Sequence, residues 1–214
     1  MRRFSRVYGV FAAAAAALVS TGCLQKDVTH TIYIAPDAVV WSALEKDVRS
    51  DEQDVLKRAT EEQDYLLAVG AGNHPVAAAL RRLGARPIVT SRVRPERPYT
   101  VMTEARFADL RQLALALLRG AGLTGDVSLT RDGCRTSFSL RAEVPDADHL
   151  DAESIEPLLE DLDRYRLVLT QGRFTSAEGF VIQPDGAVAL FGGGANADAT
   201  SVALKLAWAA DSCR

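Results

Sequence analysis

Three cysteines, three histidines and two charge clusters are the groups in this 214-residue chain that could do chemistry. Cys23, Cys134 and Cys213 could be acylated, paired with one another or used as thiolates. His30, His74 and His149 could ligate a metal or carry protons. None of the three has a partner at metal-ligand spacing, and neither H-E-x-x-H nor C-x-x-C occurs, so no metal and no cofactor is expected. The nucleophile elbow G-x-S-x-G is absent too. Cys134 follows the turn Asp132-Gly133 and leads a strand, which suits a disulfide better than an activated thiolate. The chain reads as non-enzymatic. Hydrolase-type chemistry is the alternative that a convergent polar cluster would revive and that scattered, solvated histidines would all but close.

The basic cluster lies between Arg81 and Arg119, where nine arginines meet only three acids, Glu96, Glu104 and Asp109. Arg92 and Arg94 are expected on one strand face with Arg97 in the adjoining turn. Guanidinium groups hold phosphate or carboxylate bidentately, so these three form a candidate anion site. The competing reading is a solvated sheet face balanced by the segment Asp37–Asp64, with its nine acids and four bases. The acidic cluster Asp146, Asp148, Asp151 and Glu153 has the oxygens that calcium wants, but Leu150 and Pro157 break the EF-hand register. Gly192-Gly193-Gly194 reads as a connection rather than a phosphate nest.

The elements that would position these groups read as a mixed pattern. Short strands are expected at Thr31–Ile34 and Ala38–Trp41, around Pro36-Asp37. Ser50-Asp51-Glu52-Gln53 has the form of a capping box, with a helix reaching Val69, and Asn73 is placed to cap a second helix carrying Val76, Leu80 and Leu83. Residues 87–103 switch to period two, with Val89, Val93, Tyr99 and Val101 toward the core. An amphipathic helix over Phe107, Leu110, Leu113, Ala114, Leu117 and Leu118 comes next. Asp132-Gly133 sets a hairpin, and Ser154 caps a helix carrying Ile155, Leu158, Leu159 and Leu162. Strands at Tyr165–Thr170, Phe174–Gln183, Ala187–Phe191 and Val202–Trp208 complete the pattern. The predicted class is α+β, an antiparallel sheet built from hairpins with several amphipathic helices packed on one face.

The chain opens with Arg2, Arg3 and Arg6, an apolar run from Val7 to Val19, and Ser20-Thr21-Gly22-Cys23. A basic segment, a short apolar stretch and a small-residue cleavage site make an export signal that is removed from the mature chain. At about thirteen residues the run is shorter than the roughly twenty a bilayer span needs. Its ending resembles the lipobox of bacterial lipoprotein precursors, with Ser20 where that family usually has Leu. Ser20-x-Gly22 also fits an ordinary signal peptidase cutting the same bond. The lipoprotein resemblance implies cleavage before Cys23 and acylation of Cys23, palmitate among the chains, and a permanent membrane tether. With Leu24 rather than Asp after the cysteine, it implies the outer membrane, facing the periplasm, in a cell with two membranes. The expected layout is a signal peptide over 1–22, a tether over 23–30 and one α+β periplasmic-type domain over 31–214.

Acylating Cys23 leaves Cys134 and Cys213, which in an oxidising compartment either form one disulfide or remain two thiols. Loss of the three leader arginines takes the formal charge from −3 to −6, which argues against nucleic acid as a partner. The mature body faintly resembles LppM-like envelope lipoproteins in its order of strand pair, hairpins and helices. The function expected from all this is a non-catalytic, membrane-anchored envelope lipoprotein that binds a partner or organises the envelope. Its partners would be the membrane, an envelope protein, a lipid or cell-wall polymer. The alternative is a carrier or sensor of a lipid or other anionic or apolar ligand, with the helix Ala108–Leu118 as its cover.

Overall fold

The computed structural model describes residues 24–143, 165–191 and 201–213. Cys23, the acidic cluster at 146–153, His149, the helix expected from Ser154 and the triple glycine at 192–194 lie outside them.

The chain begins as a long hairpin of β1 (Leu24–Ile34) and β2 (Val39–Ser50), closed by the Ala35 N–H donating to the Ala38 carbonyl at 2.9 Å. Two helices follow, α1 (Val55–Gly70) and α2 (Pro75–Arg82), and then the hairpin of β3 (Ile88–Arg94) and β4 (Tyr99–Phe107). After α3 (Leu110–Gly120) come β5 (Thr124–Asp132), β6 (Arg135–Glu143), β7 (Tyr165–Leu169), β8 (Arg173–Glu178), β9 (Phe180–Ile182), β10 (Val188–Phe191) and β11 (Ser201–Ala209). One sheet runs β3-β4-β2-β1-β7-β10-β9 and the other β5-β6-β11-β8. The β1–β7 pair is parallel, whereas the other ladders are antiparallel.

This overturns the expected α+β class. Strands make up 52% of the described residues, in sheets of seven and four strands. An open sheet of more than about ten strands tends to curl or split into two packed sheets. The division falls inside the segment Phe174–Gln183, read above as one strand. Gly179, at φ 85, turns a corner there, so β8 belongs to the smaller sheet and β9 to the larger. The core is accordingly shared between sheets. Ile32, Trp41 and Leu167 of the larger sheet, Phe138, Phe174 and Leu206 of the smaller, and Leu80 and Leu113 of α2 and α3 form one buried cluster. A smaller cluster of Val48, Tyr65, Val69 and Val101 lies beneath α1.

Several boundaries move. The expected tether at 23–30 is strand from Leu24 onward, and β2 runs nine residues beyond Trp41, to Ser50. Ser50 therefore ends a strand; Asp54 is the α1 cap, accepting from the Leu56 and Lys57 N–H groups. His74, not Asn73, precedes α2, and Phe107 ends β4 instead of opening α3. Val89 and Val93 face solvent, 54% and 55% exposed, while Ile88 packs against the core. Ile88, Thr90 and Arg92 stand opposite Ala105, Thr103 and Val101, so on this edge strand the inner face takes the other member of each alternating pair and Val89 is left outside.

Candidate functional site

The inner face of the larger sheet carries a buried polar layer that sequence reading missed. From β1 it receives Lys26, Val28, His30, Ile32 and Ile34, and from β2 Val39, Trp41, Ala43 and Glu45. The pairings Val28↔Glu45, His30↔Ala43 and Ile32↔Trp41 place these side chains on one face. Beyond Glu45 the ladder shifts register toward both neighbours, and Asp47 takes a positive φ of 53. This bulge lets Glu45 and Val48, three residues apart, both turn inward. Thr103 of β4 stands opposite Ala43. His74, in the turn between α1 and α2, comes down from the helical side.

Glu45 is the centre of this layer and is fully buried. The Lys26 ammonium donates to its Oε1 at 2.8 Å. Its Oε2 lies 3.3 Å from His74 Nε2, which is also 3.0 Å from the Thr103 hydroxyl. The Tyr65 hydroxyl, buried on α1, approaches the same carboxylate without the geometry of a full hydrogen bond. Burial pushes the Glu45 pKa up, but His74 and Lys26 together outweigh it and hold it at about 2, so the group is a carboxylate. Burial, with the charge of Glu45, pushes the Tyr65 phenol well above its ordinary value. The layer is thus a buried carboxylate paired with the Lys26 ammonium and flanked by His74 and Tyr65. Lys26, with 21% of its side chain exposed, is its contact with solvent.

Two strand residues away lies His30, 1% exposed, stacked on Tyr165 of β7 at 4.5 Å between ring centroids. The Trp41 indole N–H donates to His30 Nδ1 at 3.0 Å. An indole only donates, so Nδ1 keeps its lone pair and the ring proton sits on Nε2, which is buried without a partner. A second proton on Nδ1 would break the Trp41 bond and place a charge in the core. Burial, only partly offset by Glu45, lowers the His30 pKa from 6.5 to about 4.

The unfolded chain therefore binds a proton near pH 6.5 that the folded chain refuses until about pH 4. Stability should be full above pH 6.5 and should fall on acidification across that window, by on the order of 3 kcal/mol through His30. Glu45 adds a loss of the same sign between pH 4.5 and about 2. Urea unfolding from pH 7.5 to 4 checks this: His30→Gln should flatten the upper window, and an unchanged profile would refute the assignment to His30.

The arginines expected as an anion site are only partly brought together. Arg97 binds the Glu62 carboxylate of α1 at 2.9 and 3.1 Å, and Arg92 donates to the Leu66 carbonyl of the same helix at 2.7 Å. Both fasten α1 to the sheet. The register shift between Arg92 and Arg94 pairs Arg92 with Val101 but Arg94 with Thr100, so the two point to opposite faces rather than sharing one. Cys134 and Cys213 are joined in a disulfide, Cα–Cα 5.6 Å.

A shallow cleft of about 230 Å³ opens beside that disulfide, lined by Ile34, Val39, Leu110, Leu129, Arg131 and Trp208 among others. Among the described residues no group of three or more His, Cys, Asp or Glu side chains is placed to hold a metal. No described helix is long and apolar enough to cross a membrane.

No family model matches the chain. No curated protein sequence matches it either. Among solved structures, the NMR structure of the folded domain of the Mycobacterium tuberculosis LppM protein is similar over 91% of this chain and 94% of that one. The two share 17% identity at a TM-score of 0.34, a likeness too loose to transfer any residue's role.

Proposed function

We propose that this protein is a lipid-anchored, non-catalytic component of a bacterial cell envelope. The observation that carries the reading is the leader: three arginines, a short apolar run, and Thr21-Gly22 directly before Cys23. Two features support it. A disulfide between Cys134 and Cys213 suits an oxidising exported compartment and leaves Cys23 as the one remaining cysteine. The polar layer around Glu45, the best arranged chemistry among the described residues, lies beneath the α1–α2 hairpin, with Glu45, His74 and Thr103 fully buried. Burial of these three residues favours a role inside the fold over one at a substrate-binding surface. Three acyl chains on Cys23 would make the attachment permanent, since stable anchoring takes more than one chain. Leu24 after the cysteine favours the outer membrane and its periplasmic face.

The carrier reading no longer rests on α3, whose Leu110, Leu113, Ala114 and Leu118 are core residues. The cleft beside the disulfide, at about 230 Å³, is smaller than a typical ligand pocket of roughly 300–1,000 Å³ and gives the carrier reading little support.

Intact mass and fractionation of the full chain expressed in a bacterium test the anchored reading. The wild type should begin at Cys23, carry acyl mass and stay with membranes through an alkaline wash, while Cys23→Ser should be soluble. A wild-type mature chain without acyl mass sinks it.

A further inference from the structure

The anchored reading fixes more than location, because the fold leaves no spacer between anchor and domain. Leu24, the residue after Cys23, is already paired with Ser50 and packs against the cluster beneath α1. The end of the larger sheet that carries Leu24 and Ser50 must then lie at the membrane surface.

Helix α1 reaches past that end. Val69 packs with Val48 of β2, and one helical stretch earlier Glu62 accepts the Ser50 N–H at 3.0 Å. The helix, read from its C-terminus back, therefore travels toward the Leu24 end and is level with it at Glu62. Seven more residues lead back to Val55, an overhang of about 10 Å at 1.5 Å per residue. The overhang carries two apolar side chains that stand in no hydrophobic cluster of the described residues, Val55 at 64% and Leu56 at 80% exposed. A linker of four residues joins them to Ser50, and the Gln25 amide bonds Asp51 at 3.3 Å, which ties the base of the overhang to the first turn of β1.

We infer that the overhanging start of α1, Val55 and Leu56 foremost, is seated in the leaflet that holds the lipid anchor. The contact is apolar rather than electrostatic: Lys57 and Arg58 are offset by Asp51, Glu52 and Asp54 beside them, so an anionic lipid is not required. Interfacial side chains of this kind sink about 5–10 Å into the headgroup and acyl boundary. Held at two points, by Cys23 and by this tip, the domain has a fixed orientation, with β9 and the cleft turned away from the bilayer.

The test labels one thiol at a time on the full acylated chain in phosphatidylcholine vesicles. A fluorophore at Leu56→Cys is compared with one at Val181→Cys on β9, which is 56% exposed and aligned through β10 and β7 with Thr31. Thr31 lies seven residues along β1 from Leu24, about 23 Å at the rise of a strand. Doxyl-labelled phosphatidylcholine should quench the label at position 56 several-fold more than at position 181, with a blue shift at position 56 alone. Equal quenching on vesicles that retain the protein would overturn the seating while leaving the anchor intact. Chains that lack acyl mass and wash off the vesicles would overturn both. Neither position contributes to the core, so both labelled forms keep the fold.

Discussion

Glu45→Ala is expected to lower the unfolding free energy by about 3–5 kcal/mol, the usual cost of removing one partner from a buried ion pair. The substitution strands the Lys26 ammonium, bonded to Oε1 at 2.8 Å, and takes the carboxylate from beside His74, itself 0% exposed. It also opens a void beneath Tyr65. Replacing both charges together, as Lys26→Met with Glu45→Met, should recover much of that loss, because the desolvation penalty of the pair leaves with it. Urea unfolding of the three proteins at pH 7.5 decides. A Glu45→Ala loss below about 1 kcal/mol would mean that the pair behaves as a hydrated surface bridge.

The other large expected effect is in the disulfide. Cys134 leads β6 and Cys213 lies in the single turn after β11, so the bridge closes a loop of 79 positions. In the chain-entropy model a loop of that length is worth roughly 4–5 kcal/mol, through restriction of the unfolded chain. Cys134→Ser with Cys213→Ser should lower stability by that order, and a reductant should lower the wild type equally while leaving the double variant unchanged. A reductant-insensitive wild type would show the two thiols unpaired. Ala210, whose N–H donates to the Cys134 carbonyl at 2.8 Å, keeps the two ends in register, so the native fold should survive with a lower melting point.

Local turn chemistry made the hairpins legible in the sequence. Asp132-Gly133 and Asp185-Gly186 each sit at a reversal, with Gly133 and Gly186 at positive φ. The strand pair on either side of Pro36-Asp37 was visible in kind but not in length. Val28-x-His30-x-Ile32 and Trp41-x-Ala43-x-Glu45 continue the alternation, and their polar members hid the continuation, so that the first strand was shortened in favour of a tether and the second ended at Trp41. A histidine and a glutamate at apolar positions of a period-two run were the available signal for the buried layer. His74 gave no such signal, since its contact with Thr103 spans 29 positions and depends on how α1 and α2 lie over the sheet. The split into two sheets was equally invisible, because alternation reports which face is buried and not which sheet buries it.

The parallel pairing of β1 with β7 sets the order in which this chain can fold. The Thr170 hydroxyl reaches the Ile34 carbonyl across 136 positions, and the ladder joining the two halves of the larger sheet is made entirely of such distant partners. Contacts this remote in sequence slow folding, because the loop must close before the contact gives anything back. A chain is made amino end first, so the edge of β1 that β7 will pair with waits unpaired until β7 has joined it. During that interval the unsatisfied edge of β1 is open to pairing with other chains. The topology therefore leaves that edge open for as long as β7 takes to reach it, an exposure that the finished seven-stranded sheet no longer shows.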